Sequence, residues 1–201
     1  MASPHKQLRS DAYMGPLIER YGELSLDPTA DMFRRLIVSI LRQQVSMESA
    51  EATQTRLFDT VEVTPDGILS ADPETLRECG LSRQKTGYVR NVAEAFSERY
   101  DHAYFETLED EAVIEELTTI KGVGEWTARM QLLFSLGRPD VFPVGDLGVR
   151  KGMRALFGEE LSRAEMVVKA ERWAPYRSYA TLYLWRMDED VASAIGEVTE
   201  R

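Results

Sequence analysis

Apolar residues recur at helical spacing along almost the whole chain, and nowhere do they alternate long enough to build a strand. Phe33, Leu36, Ile37, Ile40, Leu41 and Gln44 share one face behind Asp31, a candidate cap. Met47 to Val61 reads as a second helix. Asp72-Pro73 opens a short helix that stops at Gly80, and Ser82 opens the next, with Tyr88, Val89, Val92 and Phe96 on one side. Helices follow at Glu109 to Thr118, Glu125 to Leu136 and Ser178 to Met187, and Ser162 with Glu165 forms a capping box. Val61-Glu62-Val63 is too isolated for a sheet. The expectation is an all-α fold.

Composition narrows the chemistry. The single cysteine, Cys79, excludes an internal disulfide framework, a four-cysteine zinc site and a four-cysteine iron–sulfur cluster. Two histidines leave little for a histidine-rich metal site. No apolar run approaches a membrane span, and the start MASPHKQLRS lacks a signal-peptide core. A soluble, cytoplasmic protein without membrane partners is expected.

The net charge of −10 is unevenly spread. Glu94 to Glu125 alone carries −8, so the rest is close to neutral. Leu81 to Arg90 holds Arg83, Lys85 and Arg90 with no acid, and Arg138 to Arg154 holds four bases against Asp140 and Asp146. The bases are 19 Arg and 5 Lys, a bias that suits bidentate phosphate contacts.

The stretch LTTIKGVGEWTARMQLLFSLGRPDVFPVGDLGVRKG, Leu117 to Gly152, is the most informative. Gly122-Val123-Gly124 lies between two helical patterns and permits a tight hairpin with outward amides at the next helix start, either a plain turn or a phosphate site. Pro139 and Pro143 force an irregular segment, and Gly145-Asp146 begins another helix. Asp146 is a helix cap, a catalytic carboxylate held at a helix start, or both.

These strings resemble the helix-hairpin-helix DNA glycosylase superfamily, and KGVGEWTA and RPDVFPVGDLGVRKG resemble its 3-methyladenine DNA glycosylase II branch. Leu41-Arg42-Gln43-Gln44-Val45-Ser46 is similar to the branch's DNA-entering loop, and Glu171 to Ala180 to its C-terminal segment. The resemblance spans roughly residues 30 to 187. It implies two helical lobes with the DNA cleft and Asp146 between them: residues 32–138 form the middle lobe, and residues 1–31 pack with the C-terminal part, 139–201. Longer relatives carry an N-terminal β-rich domain, for which 201 residues leave no room.

By the same resemblance, Asp146 is the catalytic carboxylate. Trp126 stands where lyase-competent relatives carry a lysine, which implies a monofunctional enzyme. Trp126, Trp185, Met130 and Leu147 match base-pocket positions, where an indole face attracts a cationic alkylated purine. Either tryptophan is also a reasonable core residue. Gln44 matches the wedge that fills the gap left by the flipped base, and Gln43 stands beside it; both also suit a polar helix end. Gly122, Val123 and Gly124 present hairpin backbone to phosphate, and Arg150, Lys151 and Arg154 are candidate phosphate neutralisers or ordinary solvated charges. The main-chain carbonyls of Thr118, Ile120 and Val123 match a monovalent-cation site, a structural Na⁺ or K⁺, with no cofactor needed for chemistry. The implied activity is monofunctional excision of alkylated bases from damaged double-stranded DNA by a monomer. The competing readings are a non-catalytic hairpin DNA-binding module, a bifunctional glycosylase/lyase, and an acidic helical adaptor.

Overall fold

Most helix starts are marked by side chains that cap them. The computed structural model describes residues 3–187, and the order is α1 (Pro4–Leu8), α2 (Met14–Tyr21), α3 (Met32–Arg42), α4 (Met47–Thr60), α5 (Pro65–Ser70), α6 (Pro73–Glu78), α7 (Arg83–Glu98), α8 (His102–Glu106), α9 (Asp110–Thr118), α10 (Glu125–Phe134), α11 (Leu147–Phe157) and α12 (Arg163–Ala170). A single 3₁₀ turn follows at Glu171–Trp173, and α13 covers residues 177–187. There is no β-strand among the described residues, so the fold is all-α. No helix among them is long and apolar enough to cross a membrane.

Asp31, Ser46, Thr64, Asp72, Ser82, Asp101, Asp146 and Ser162 each accept an amide N–H two or three residues ahead. Each such cap stabilises its helix by about 1 kcal/mol. The capping box at Ser162 and Glu165 forms as expected. Helix α10 stops at Phe134, two residues short of the expected Leu136. Gly137 takes a left-handed φ of 61°, and the Leu136 N–H reaches back to the Gln131 carbonyl at 3.0 Å. Helices α1, α2, α5 and α8 are one- or two-turn elements whose apolar period is too short to read.

The chain divides into two compact units, with boundaries at Pro28 and Leu136. The contiguous unit, Pro28–Leu136, is organised on α3, which packs on α4, α7 and α10. Leu36, Ile37, Ile40 and Leu41 are at most 1% exposed there. Each such side chain contributes about 1.5–3 kcal/mol on burial.

The second unit joins the segment before Pro28 to the segment after Leu136. Its core combines Leu8, Met14 and Ile18 of α1 and α2 with Val149 and Met153 of α11, Trp173, and Tyr183 and Leu184 of α13. Asp11 reinforces that union. Its carboxylate accepts the amides of Tyr13 and Met14, the Trp173 indole N–H and the Arg172 guanidinium. Burial alone would raise its pKa, but these four donors together hold it below the ordinary aspartate value.

Candidate functional site

Asp146 sits where a proline-punctuated loop turns into α11. Its N–H donates to the Pro143 carbonyl at 2.8 Å. Its Oδ1 accepts the Val149 N–H at 2.9 Å, which caps the helix. The same oxygen accepts the indole N–H of Trp185 at 2.8 Å. The two local readings of Asp146 are therefore compatible: it is a cap, and it is also gripped by an aromatic side chain from α13. The carboxylate is half-buried at the N-terminus of α11.

That grip depends on a glycine. A Cβ at Gly148 would lie 2.9 Å from Trp185 Cδ1 and 3.3 Å from Asp146 Oδ1. One turn on, a Cβ at Gly152 would lie 2.5 Å from the Leu184 carbonyl oxygen. The pair lies on one face of α11, four residues apart, and lets α13 approach closely enough to place Trp185 on the carboxylate.

The loop before Asp146 is clamped to the start of α13. Arg177 forks onto Asp140, with Nε–Oδ1 at 2.7 Å and Nη2–Oδ2 at 2.8 Å. The Ser178 hydroxyl accepts the Val141 N–H at 2.8 Å and donates to the Arg138 carbonyl at 2.6 Å. Such bidentate, charge-assisted contacts hold position as well as energy.

Leu147 is 55% exposed beside Asp146, and the Arg150 Nε folds back on the Asp146 carbonyl at 3.3 Å. Lys151 is exposed on α11. Arg154 instead pairs with Glu160 at 3.0 Å.

In the Pro28–Leu136 unit the glycine hairpin forms between α9 and α10. Gly122 has a φ of 110° and faces the ring of Tyr88, whose Cγ would be 2.3 Å from an added Cβ. Only glycine meets both demands. At Gly124 an added Cβ meets nothing within 4 Å. No packing demand among the described residues explains that glycine, and its openness leaves the α10 amides approachable. Two side chains brace the hairpin from behind: Gln43 Nε2 donates to the Gly122 carbonyl at 3.1 Å and Asn91 Nδ2 to that of Lys121 at 2.9 Å.

The Thr118, Ile120 and Val123 carbonyls are a different set from these braced ones. Ile120 also accepts the Val123 N–H at 2.9 Å, which closes the turn. Neutral oxygen donors of this kind fit a hard monovalent ion.

Trp126 is 37% exposed on the first turn of α10, so it is not a core residue. Met130, one turn further, is 7% exposed and belongs to the interior packing of its unit. Gln44 is exposed with a φ of 57°, a left-handed conformation uncommon outside glycine. Gln43 braces the hairpin directly beneath it. Together with Ser82, Gln84, Lys85 and Tyr88 they line a cavity of about 330 Å³.

Several of these roles have no signature in the sequence. Lys85 donates to the Leu41 carbonyl at 2.6 Å, and Arg90 to that of Ala71 at 3.1 Å, so two bases of the acid-free stretch cap helix C-termini. Burial pushes the Lys85 ammonium below the ordinary lysine pKa. Gly148, Gly152, Asp140, Arg177 and Ser178 act through contacts between distant segments.

Residues 37–178 match the family described as HhH-GPD superfamily base excision DNA repair protein. DNA-3-methyladenine glycosylase 1 of Schizosaccharomyces pombe is 36% identical over 163 residues, 77% of this chain and 71% of that protein. A crystal structure of DNA-3-methyladenine glycosidase from Bacillus halodurans superposes with a TM-score of 0.84 at 37% identity, over 95% of this chain and 92% of the other. The S. pombe 3-methyladenine DNA glycosylase in complex with abasic DNA gives 0.83 at 30%, over 94% and 97%.

Proposed function

Because this chain belongs to the HhH-GPD superfamily of base excision DNA repair proteins, we propose that its Asp146–Trp185 pair is the chemical centre of a monofunctional DNA glycosylase. The enzyme hydrolyses the N-glycosidic bond of alkylated bases of the 3-methyladenine type, in line with its relatives.

The observation that carries the assignment is the convergence of the Val149 amide and the Trp185 indole on Oδ1 of Asp146. As the base departs, positive charge builds on the deoxyribose. An oriented, ionised carboxylate stabilises that charge and directs water to the anomeric carbon. The carbon–nitrogen bond breaks, the bond to the water oxygen forms, and the base leaves with the glycosidic electron pair. The water proton is lost to solvent or to the departing base. The strand stays intact at an abasic site, because Trp126 offers no amine for an imine.

The remaining roles follow the resemblance and the placements above. By the resemblance, Trp126, Met130, Trp185 and Leu147 are the base-pocket residues, and of these Trp126 and Leu147 are exposed. Gln44 enters the duplex as the wedge. Gly122, Val123 and Gly124 offer backbone to phosphate, and Arg150 and Lys151 add charge. The carbonyls of Thr118, Ile120 and Val123 hold Na⁺ or K⁺, which would bridge the hairpin to phosphate. The substrate is damaged double-stranded DNA, and the enzyme acts as a monomer in the cytoplasm.

The experiment is a base-release assay on methylated duplex DNA, with freed bases identified by chromatography. Release of 3-methyladenine with an alkali-labile, otherwise intact strand is expected. No release of any alkylated base would overturn the assignment.

A further inference from the structure

An arginine-lined groove on the Pro28–Leu136 unit is separate from the hairpin and the wedge cavity. It runs along α3 and α4, encloses about 280 Å³, and is lined by Arg34, Arg35, Arg42, Ser39, Gln54 and Phe58, among others. In a chain with 34 acids and 24 bases, cations usually find carboxylates. Arg9, Arg77, Arg129, Arg154, Arg172 and Arg177 all do so. The guanidinium groups of Arg34, Arg35 and Arg42 make no ion pair or hydrogen bond among the described residues. The carboxylate at the groove's end, Asp31, is engaged by the Arg34 main-chain N–H.

Two of the three are held in place by aromatic rings. Arg34 lies over Phe58 at 4.3 Å and Arg35 over Phe134 at 4.8 Å. Stacking fixes the plane of a guanidinium and leaves its N–H edge for an acceptor in that plane. Arg35 and Arg42 stand seven residues apart on the same helix face, about 10 Å along the axis. Burial and the charge of Arg42 both lower the Arg35 pKa, a repulsion that a bound anion would relieve. Arg42 immediately precedes Gln43 and Gln44, so one end of the groove lies at the segment that enters DNA.

We infer that this groove takes phosphate groups, and that they belong to the DNA backbone flanking the lesion, gripped by Arg35 and Arg42 with Arg34 beside them. The inference rests on the glycosylase reading for its DNA. At roughly 3.4 Å of duplex axis per nucleotide of one strand, the spacing of Arg35 and Arg42, if it runs along the axis, corresponds to about three nucleotides. The groove would thus extend the protein's footprint beyond the extruded base and its neighbours.

The test is the salt dependence of binding to a duplex carrying an abasic-site analogue. Compared are wild type, the double variant Arg35→Gln/Arg42→Gln, and Arg35→Lys, which keeps the charge. Circular dichroism monitors folding. The double variant should bind more weakly, and its log K against log salt should be shallower by about 1.8, or about 0.9 per phosphate. Arg35→Lys should keep the wild-type slope. Equal slopes for the double variant and a wild type that binds DNA would overturn this inference alone. A wild type that fails to bind the duplex would overturn the glycosylase reading and this inference with it. A parallel arm measures thermal midpoints with inorganic tripolyphosphate and no DNA. Stabilisation of wild type but not of the double variant, with unchanged DNA slopes, would make the ligand a free phosphate and overturn the DNA assignment.

Discussion

Trp185 donates its indole N–H to Oδ1 of Asp146 at 2.8 Å, joining α13 to the N-cap of α11. The same bond gives the tryptophan an orienting role that stacking alone would not. A hydrogen bond to a charged group contributes about 1.5–3 kcal/mol. Trp185→Phe keeps an aromatic face and loses only this donor and some area. Single-turnover excision should fall roughly 10- to 100-fold with the circular dichroism spectrum unchanged. Wild-type rates in the variant would mean that Asp146 orients itself through its cap alone.

Asp146→Asn separates capping from chemistry. Asparagine caps helices about as well as aspartate, so the thermal midpoint should move little. Base release should drop by at least about 10²-fold, the scale of losing one pre-organised electrostatic group. If the variant excises within a fewfold of wild type, Asp146 is a cap and nothing more.

Gly148→Ala predicts an unusual combination. Alanine favours a helix over glycine by about 0.5–1 kcal/mol, so the isolated helix gains. The added methyl meets Trp185 Cδ1 at 2.9 Å and must displace the indole from the carboxylate. Excision should fall about tenfold while thermal stability falls only by about 1–2 kcal/mol, since the helix gain offsets part of the lost Trp185 contact. A rate drop accompanied by a large loss of stability would instead point to disrupted packing of α11 on α13.

Borohydride should trap no covalent protein–DNA adduct. By the family resemblance, Trp126 stands where lyase-competent relatives carry a lysine, and its indole nitrogen is not a nucleophile. Lys121 lies ahead of the hairpin, with its own carbonyl held by Asn91. An efficient adduct that disappears in Lys121→Ala would show that Lys121 reaches the sugar.

Acid should weaken the union of the N-terminal segment with the later helices. Asp11 has a folded-state pKa below the ordinary aspartate value. A depressed carboxylate stabilises the fold above its unfolded pKa, and that contribution is lost as pH falls through the folded value. Asp11→Asn should therefore lower the thermal midpoint at neutral pH, and the gap to wild type should close below about pH 4. A pH-independent gap would assign the effect to hydrogen-bond geometry rather than charge.

Helices α3, α7 and α12 were legible because period and caps agree: each appears where Asp31, Ser82 or the Ser162–Glu165 capping box places it. Helix α6 was legible from its Asp-Pro start and terminal glycine. Helices α1, α2, α5 and α8 were not, since five to eight residues carry too little period. Asp146 was legible from its Pro-Gly context and the family strings. Its partner relationships were not, because Gly148 meets Trp185 across 37 positions of sequence, and a glycine's reason for being small lies in what it faces. Arg90 and Lys85 illustrate the opposite error. A run of bases without acids suggests a phosphate surface, yet these two close helix ends within the chain.

The interrupted unit has a consequence for synthesis. Residues 28–136 are contiguous and can assemble as soon as they are made, since domains fold as units and the N-terminal portion first. The segment before Pro28 precedes them on the ribosome but has no core of its own. Leu8, Met14 and Ile18 must wait for Val149, Trp173 and Leu184, more than a hundred residues later. During that interval the apolar faces of α1 and α2 stay uncovered. The unit that carries Asp146 is therefore the last to form, and a nascent chain passes through a stage in which its hairpin half is complete and its chemical half is not.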